Sequence, residues 1–236
     1  MTFACLLAGV ASACSSSSSP SLKSAKNVVF VGDSLALEAS QYLPALLQTR
    51  TFVPEVFGGT APCDWVEKNL AIPAESVVVI SFIGNSLTPC MSDGAGGFLS
   101  GQALIDKYRA DLQALIEQAR SAGAPVLLVN QPKTSDRVDL AFVAADLNAT
   151  YQDLASADDV AIVDAGAAVE NPDGTFADEL PCAAAEQACG ASGSNVVRTD
   201  DGVHFCPGPS PAYPCPVYAS GAFRFAQAIA DAIVNS

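Results

Sequence analysis

The chain has 236 residues, half of them hydrophobic and 15% charged, which is enough for one domain with a full core and excludes global disorder. Its 25 acidic residues outnumber 11 basic ones, and the net charge is −14. Such a surface repels nucleic-acid phosphates and anionic lipid head groups. We therefore expect no nucleic-acid partner, and membrane contact only through an N-terminal anchor.

The N-terminal stretch MTFACLLAGVASAC is apolar and ends in small residues before Cys14. It resembles a bacterial lipoprotein signal in which Cys14 carries the lipid. Residues 1–14 are interpreted as an export segment, residues 15–26 as a Ser-rich linker and residues 27–236 as the folded domain. The expected location is the cell envelope or the extracellular space. The alternative for the first segment is a buried helix.

Five short apolar runs predict buried strands. Four of them lack alternation, which is typical of parallel strands covered on both faces. The second run contains Pro54, which favours an edge strand. The runs begin at Asn27, Thr51, Ser76, Ala124 and Asp159.

Segments with helical spacing of apolar residues lie between and after these runs. The first of them contains Pro44, where we expect a kink or a break. Strands that alternate with helices predict an α/β domain with a parallel sheet. The four helical segments are residues 35–48, 101–122, 136–157 and 218–234.

The chain contains eight cysteines, which are many for a reduced cytosolic protein of this size. If Cys5 leaves with the signal and Cys14 carries lipid, six remain for disulfides, and their pairing stays open at this point. A zinc site is the alternative, but the chain has a single histidine and no CxxC pair. We expect no metal and no organic cofactor. The six cysteines are Cys63, Cys90, Cys182, Cys189, Cys206 and Cys215.

Four polar stretches follow predicted strands or lie in the late loop: GDSL, GGT, GNS and DGVH. Ligands bind at the carboxyl ends of the strands in open α/β sheets, so these stretches share one rim. Ser34 lies at a helix start, which favours developing negative charge. His204 is the one available imidazole base. Asp201, three residues earlier, can reach its Nδ1 and orient it.

Acyl transfer also needs donors for an oxyanion. The side-chain amide of Asn85 can supply one, and the backbone N–H groups of Ser34 and of Gly58 or Gly59 can supply others. Each residue taken alone has a plainer interpretation, as a turn, an N-cap or a structural histidine. Their joint occurrence in this order favours nucleophilic catalysis.

The four blocks together resemble those of the SGNH, or GDSL-type, hydrolase superfamily, over roughly residues 27–235. The resemblance implies a three-layer α/β/α fold with a five-stranded parallel sheet in the order 2-1-3-4-5. It also implies Ser34 as nucleophile, His204 as base, Asp201 as the acid that orients it and Asn85 as oxyanion donor. GGTAPCDW and GNSLTPC further resemble an exported actinobacterial branch with lipoprotein signals.

The activity that this resemblance implies is serine ester hydrolysis of a small-molecule, lipid or carbohydrate ester. An acyltransferase with the same triad is one alternative, and a non-catalytic exported binding lipoprotein is another. In the 2-1-3 strand order, Cys63 and Cys90 can meet over Ser34. The other expected disulfides are Cys182–Cys189 and Cys206–Cys215, the latter beside the base.

Overall fold

The computed structural model describes residues 21–136, 138, 140–158, 160–207 and 213–236, with the backbone alone for residues 140–145 and 158. The predictions for residues 1–14, for the lipidation of Cys14 and for residues 15–20 lie outside the described residues. In the described part, no helix is both long and apolar enough to cross a membrane.

Five parallel strands form the central sheet, in the order β2-β1-β3-β4-β5. This confirms the predicted fold class and strand order. The second strand lies at the edge, where Pro54 removes no hydrogen bond that a further neighbour would need. The strands are β1 (Asn27–Gly32), β2 (Thr51–Val56), β3 (Ser76–Ser81), β4 (Val126–Val129) and β5 (Ala161–Val163).

Helices cover both faces of the sheet, and successive residues of each strand serve opposite faces. Val28 and Phe30 of β1 pack into one core with α1, α2 and α6. Val29 and Val31 pack into the other core with α3, α4 and α5. The helices are α1 (Ser34–Ser40), α2 (Leu43–Leu47), α3 (Pro62–Lys68), α4 (Gly101–Ser121), α5 (Leu140–Asp158) and α6 (Ser220–Asn235).

The first helical segment breaks into α1 and α2, which confirms the break expected near Pro44. Pro44 lies in the first turn of α2, where its missing N–H costs nothing. Other short elements differ from the sequence-based prediction. The segment predicted from residue 136 becomes helical at Leu140. The short helix α3 and a small antiparallel hairpin of β6 (Glu179–Pro181) and β7 (Ser194–Val196) were not predicted.

Part of the predicted linker packs on the domain. Residues 22–24 form a 3-10 turn, and Leu22 and Ala25 are buried in the core that contains α6. Arg50 fixes this turn, because its guanidinium donates to the carbonyls of Ala25 and Lys23. The apolar Leu22 side chain explains why the chain joins the fold before β1 begins.

The strand register places three loops side by side at the carboxyl edge of the sheet. Gly32 at the end of β1 is level with Val56 of β2 and Ser81 of β3. The segments that follow these three residues therefore leave the sheet at the same height, and the one after β1 lies in the middle.

Candidate active site

Ser34 is the first residue of α1 and lies two residues after the end of β1. The strand can turn this tightly because residue 32 is a glycine and has no Cβ. A Cβ at this position would lie 2.3 Å from the Ser81 carbonyl oxygen and 2.4 Å from Cβ of Ala36. Asp33 caps the helix, with its Oδ1 accepting from the Leu35 N–H at 3.2 Å. The serine side chain is consequently held at the carboxyl edge of the sheet.

The imidazole of His204 connects Ser34 with Asp201. Its Nε2 lies 2.9 Å from Ser34 Oγ, and its Nδ1 lies 2.7 Å from Asp201 Oδ2. Because a carboxylate oxygen accepts, the proton belongs on Nδ1, and Nε2 is left to accept from the serine hydroxyl. The structure thus brings together the three residues that the sequence analysis singled out.

The Asp201 carboxylate is fixed by its own short loop. Its Oδ1 accepts from the hydroxyl of Thr199 at 2.6 Å and from the backbone N–H groups of Val203 and His204 at 2.8 and 2.9 Å. Burial would raise the pKa of Asp201, but the hydrogen bonds from Thr199 and His204 outweigh it and hold that pKa well below its usual range. The group is therefore a carboxylate at neutral pH and can orient the ring.

Gly202 lets this loop press against the segment that follows β4. Its φ is +70°, and a Cβ there would lie 2.4 Å from Cβ of Ser135. Its carbonyl accepts from the Ser135 N–H at 3.0 Å. A glycine is needed at this point of the DGVH motif because of the positive φ and because a Cβ would clash with Ser135.

Three backbone N–H groups at the carboxyl edge of the sheet have no acceptor among the described residues, and they belong to Ser34, Gly58 and Gly59. The two glycines lie in the turn after β2, where Gly59 has a φ of +78° and is exposed. The Phe57 N–H anchors this turn to the Gly32 carbonyl at 3.1 Å. These N–H groups therefore remain candidate donors.

Asn85, in contrast, already uses both hydrogens of its side-chain amide. Its Nδ2 donates to Asp33 Oδ2 at 3.0 Å and to the Thr60 carbonyl at 3.2 Å. The backbone carbonyl of Asn85 accepts from the Tyr108 hydroxyl at 2.8 Å. The residue joins the loops on either side of Ser34, and it can donate to an oxyanion only by releasing one of these two acceptors.

Asp33 is a functional candidate to which the sequence analysis gave no role. It is fully buried, and its Oδ2 accepts from the Ile83 N–H at 2.6 Å as well as from Asn85. Burial raises the pKa of Asp33 to about 7, although the hydrogen bonds from Ile83 and Leu35 oppose the rise. Its position before the nucleophile was visible in the sequence, but its partners were not.

The cysteines are joined in the structure as Cys63–Cys90, Cys182–Cys189 and Cys206–Cys215. The first bond links α3 to the loop after β3, and the third closes a loop two residues after His204. Cys63, Asp64 and Cys90 are the one group of metal-ligand residue types that converges within the described residues. Since both sulfurs are in a disulfide, this group offers no thiolate to a metal.

Comparison with solved structures identifies the same fold in proteins of low sequence identity. A proposed acylhydrolase from Bacteroides fragilis aligns with a TM-score of 0.57 at 18% identity, over 88% of this chain and 86% of its own. A GDSL-like lipase from Bacteroides thetaiotaomicron aligns with a TM-score of 0.56 at 18% identity, over 92% of this chain and 91% of its own. A search of curated protein sequences found no match.

The fold is the one found in GDSL-type proteins, which confirms the fold that the resemblance seen in the sequence implied. The chain belongs to the family described as "Protein of unknown function (DUF459)", whose model matches residues 63–209. This span includes Asn85, Asp201 and His204 and begins after Ser34. The likeness to an exported actinobacterial branch stays a prediction.

Proposed function

We propose that this protein is a serine ester hydrolase in which Ser34, His204 and Asp201 form the catalytic triad. The observation that carries the proposal is the unbroken hydrogen-bond chain from Ser34 Oγ through the imidazole to Asp201, at 2.9 and 2.7 Å. It lies at the carboxyl edge of the sheet, where α/β proteins bind ligands. The fold shared with a GDSL-like lipase supports the same conclusion.

In the proposed mechanism, Ser34 Oγ attacks the ester carbonyl carbon while His204 Nε2 takes the hydroxyl proton. Asp201 stabilises the imidazolium that forms. His204 then gives the proton to the leaving alcohol oxygen, and the C–O bond breaks to leave an acyl group on Ser34. A water molecule, deprotonated by the same imidazole, hydrolyses this acyl-enzyme and releases the acid.

The negative charge on the carbonyl oxygen needs donors in this scheme. We assign the backbone N–H groups of Ser34 and of Gly58 or Gly59, which have no acceptor among the described residues. Asn85 adds a further donor if its amide exchanges the Thr60 carbonyl, the more distant of its two acceptors, for the oxyanion. The helix start at Ser34 favours the same charge.

A fluorophosphonate probe tests the nucleophile without knowledge of the natural substrate, because it phosphonylates an activated serine. We expect labelling of the wild type on the peptide that contains Ser34, and hydrolysis of short p-nitrophenyl esters. Ser34→Ala should remove both, and His204→Ala should reduce both by orders of magnitude. Ser40→Ala is the matched control, since Ser40 is buried on the same helix and donates to the Leu37 carbonyl at 2.7 Å.

Labelling or wild-type turnover that persists in a folded Ser34→Ala variant would remove the assignment. If His204→Ala keeps wild-type turnover, no triad exists, because the chain has no other histidine. A wild type that shows neither labelling nor turnover would instead favour the alternative of a binding protein.

We also infer that the protein is exported. Three disulfides are typical of proteins that fold in an oxidising compartment. Cell fractionation of the full chain should place it in the envelope or the medium, with Cys14→Ser moving it from the envelope to the medium if Cys14 carries lipid. Recovery of wild type in the cytosol with reduced cysteines would contradict export.

A further inference from the structure

Glu38 is a buried carboxylate on the same helix as Ser34, and the proposed mechanism does not use it. The two residues are four apart, so their side chains lie on the same face of α1. Glu38 is completely buried, beneath the loop that contains His204. Burying a carboxylate costs free energy unless hydrogen bonds or opposite charges compensate for the lost hydration.

Compensation for one of its two oxygens comes from the residues that directly follow His204, while Oε1 has no partner among the described residues. Glu38 Oε2 accepts from the Phe205 N–H at 2.7 Å and from the Cys206 N–H at 3.3 Å. Burial raises the pKa of Glu38, and the Phe205 N–H opposes the rise. Through these two bonds the helix of the nucleophile holds the backbone of the loop that contains the base.

The charges around this carboxylate include those of the base and its partner. Glu38 interacts electrostatically with His204 and Asp201, and also with Arg198, whose guanidinium is fully buried against the Phe205 ring. Asp33, at the start of α1, adds a further charge that acts on His204. Negative charge at Glu38 favours the imidazolium, as that at Asp201 does, and the Arg198 cation opposes it.

We propose that Glu38 is a second positioning carboxylate of the active site, which fixes the loop of His204 against Ser34 and stabilises the imidazolium by its charge. The inference rests on the proposed function, since the role concerns proton transfer from Ser34. It goes beyond the triad, because it assigns a task to a residue outside the four sequence blocks.

The experiment uses the single histidine of the chain, whose imidazole gives one unambiguous NMR titration. Glu38→Gln keeps an acceptor for the Phe205 N–H and removes the charge. We expect the midpoint of the imidazole titration to move to lower pH by at least about 0.5 unit. The acid limb of the ester-hydrolysis profile should move the same way, since the neutral imidazole is the base.

Glu186→Gln is the matched control. Glu186 is also a buried carboxylate, but its partners are Arg224 and Ser220 on α6. We expect its removal to leave the imidazole titration within about 0.2 unit of wild type. Glu38→Asp separates the two tasks of Glu38, because the shorter side chain keeps the charge and loses reach to Phe205. It should keep the wild-type titration and lower turnover by about tenfold.

An unmoved titration in folded Glu38→Gln overturns the inference, as does an equal shift in Glu186→Gln. If Glu38→Gln does not fold, a Glu38→Asp variant with wild-type turnover overturns it instead. The titration needs no substrate, so its outcome is independent of the proposed function. A wild type that neither hydrolyses esters nor reacts with the fluorophosphonate refutes the function alone.

Discussion

The three disulfides close loops of different length, and their removal should separate stability from activity. The sequence separations are 27 for Cys63–Cys90, 9 for Cys206–Cys215 and 7 for Cys182–Cys189. In the chain-entropy relation, double Cys→Ser variants should lose about 3.6, 2.6 and 2.4 kcal/mol of unfolding free energy, respectively. The variants that lack Cys206–Cys215 and Cys182–Cys189 therefore form a pair that is matched in stability.

The same two variants should differ in activity. The Cys206–Cys215 bond closes a loop that begins two residues after His204, so its loss allows the imidazole to leave its hydrogen bond with Ser34. A displacement of about 1 Å is enough to cost a factor of about 100 in rate. The Cys182–Cys189 bond lies in the β6–β7 hairpin and not in the His204 loop, so its removal should leave turnover unchanged.

Urea unfolding under non-reducing conditions measures the stability, with the fluorescence of the single Trp65, which is buried, as the signal. Initial rates on a p-nitrophenyl ester, at a temperature where all variants are folded, measure the activity. A Cys206→Ser/Cys215→Ser variant with wild-type kcat would show that the loop does not need the bond. A Cys63→Ser/Cys90→Ser variant that is the least destabilised would refute the entropic ranking.

Two further predictions concern Asn85 and Glu186. Asn85→Ala should lower kcat by about 100-fold or more if the amide reaches the oxyanion, and a loss below tenfold would restrict the residue to joining the Asp33 and Thr60 loops. For Glu186, burial would raise its pKa, but the hydrogen bonds from Arg224, Ser220 and the Ala183 N–H together outweigh burial and lower that pKa to about 2. A lowered native pKa stabilises the fold above the ordinary value near 4.5, and this contribution disappears as the pH falls from about 4.5 to 2. After allowance for solvent screening, Glu186→Gln should lower the free energy of unfolding, measured by urea denaturation, by about 1–2 kcal/mol at pH 7 and by almost nothing at pH 2. An equal cost at both pH values would contradict the assignment.

The central sheet could be predicted because its signal is local. Apolar runs such as residues 77–80 have no polar position to expose, and the GDSL-type blocks that follow them give the strand order by resemblance. The edge position of β2 was indicated by Pro54 and by that strand order. The short helix α3 could not be predicted in the same way, because its seven residues give no helical period and its Cys63 is held by a disulfide.

The candidate triad was predictable from residue types and their order, but its supports were not. Glu38 carries a plain signal, since it is the one charged residue of a short helix of Ser, Leu and Ala. Its partners Phe205 and Cys206 lie 167 and 168 positions away, and no local pattern connects them. The double use of the Asn85 amide depends on a loop separated from it by 25 residues, and only the three-dimensional structure brings that loop near.

The chain enters the domain at the amino edge of the sheet, where the turn at residues 22–24 is pinned by Arg50, and Ser34 lies at the opposite edge. The six residues of β1 separate these edges by about 20 Å. A support coupled directly at residue 21 therefore faces the side of the molecule remote from the candidate site. Protein immobilised on beads through that end should process a dissolved ester at the same rate per molecule as free protein, which makes the N-terminal side the natural point of attachment for surface-bound assays.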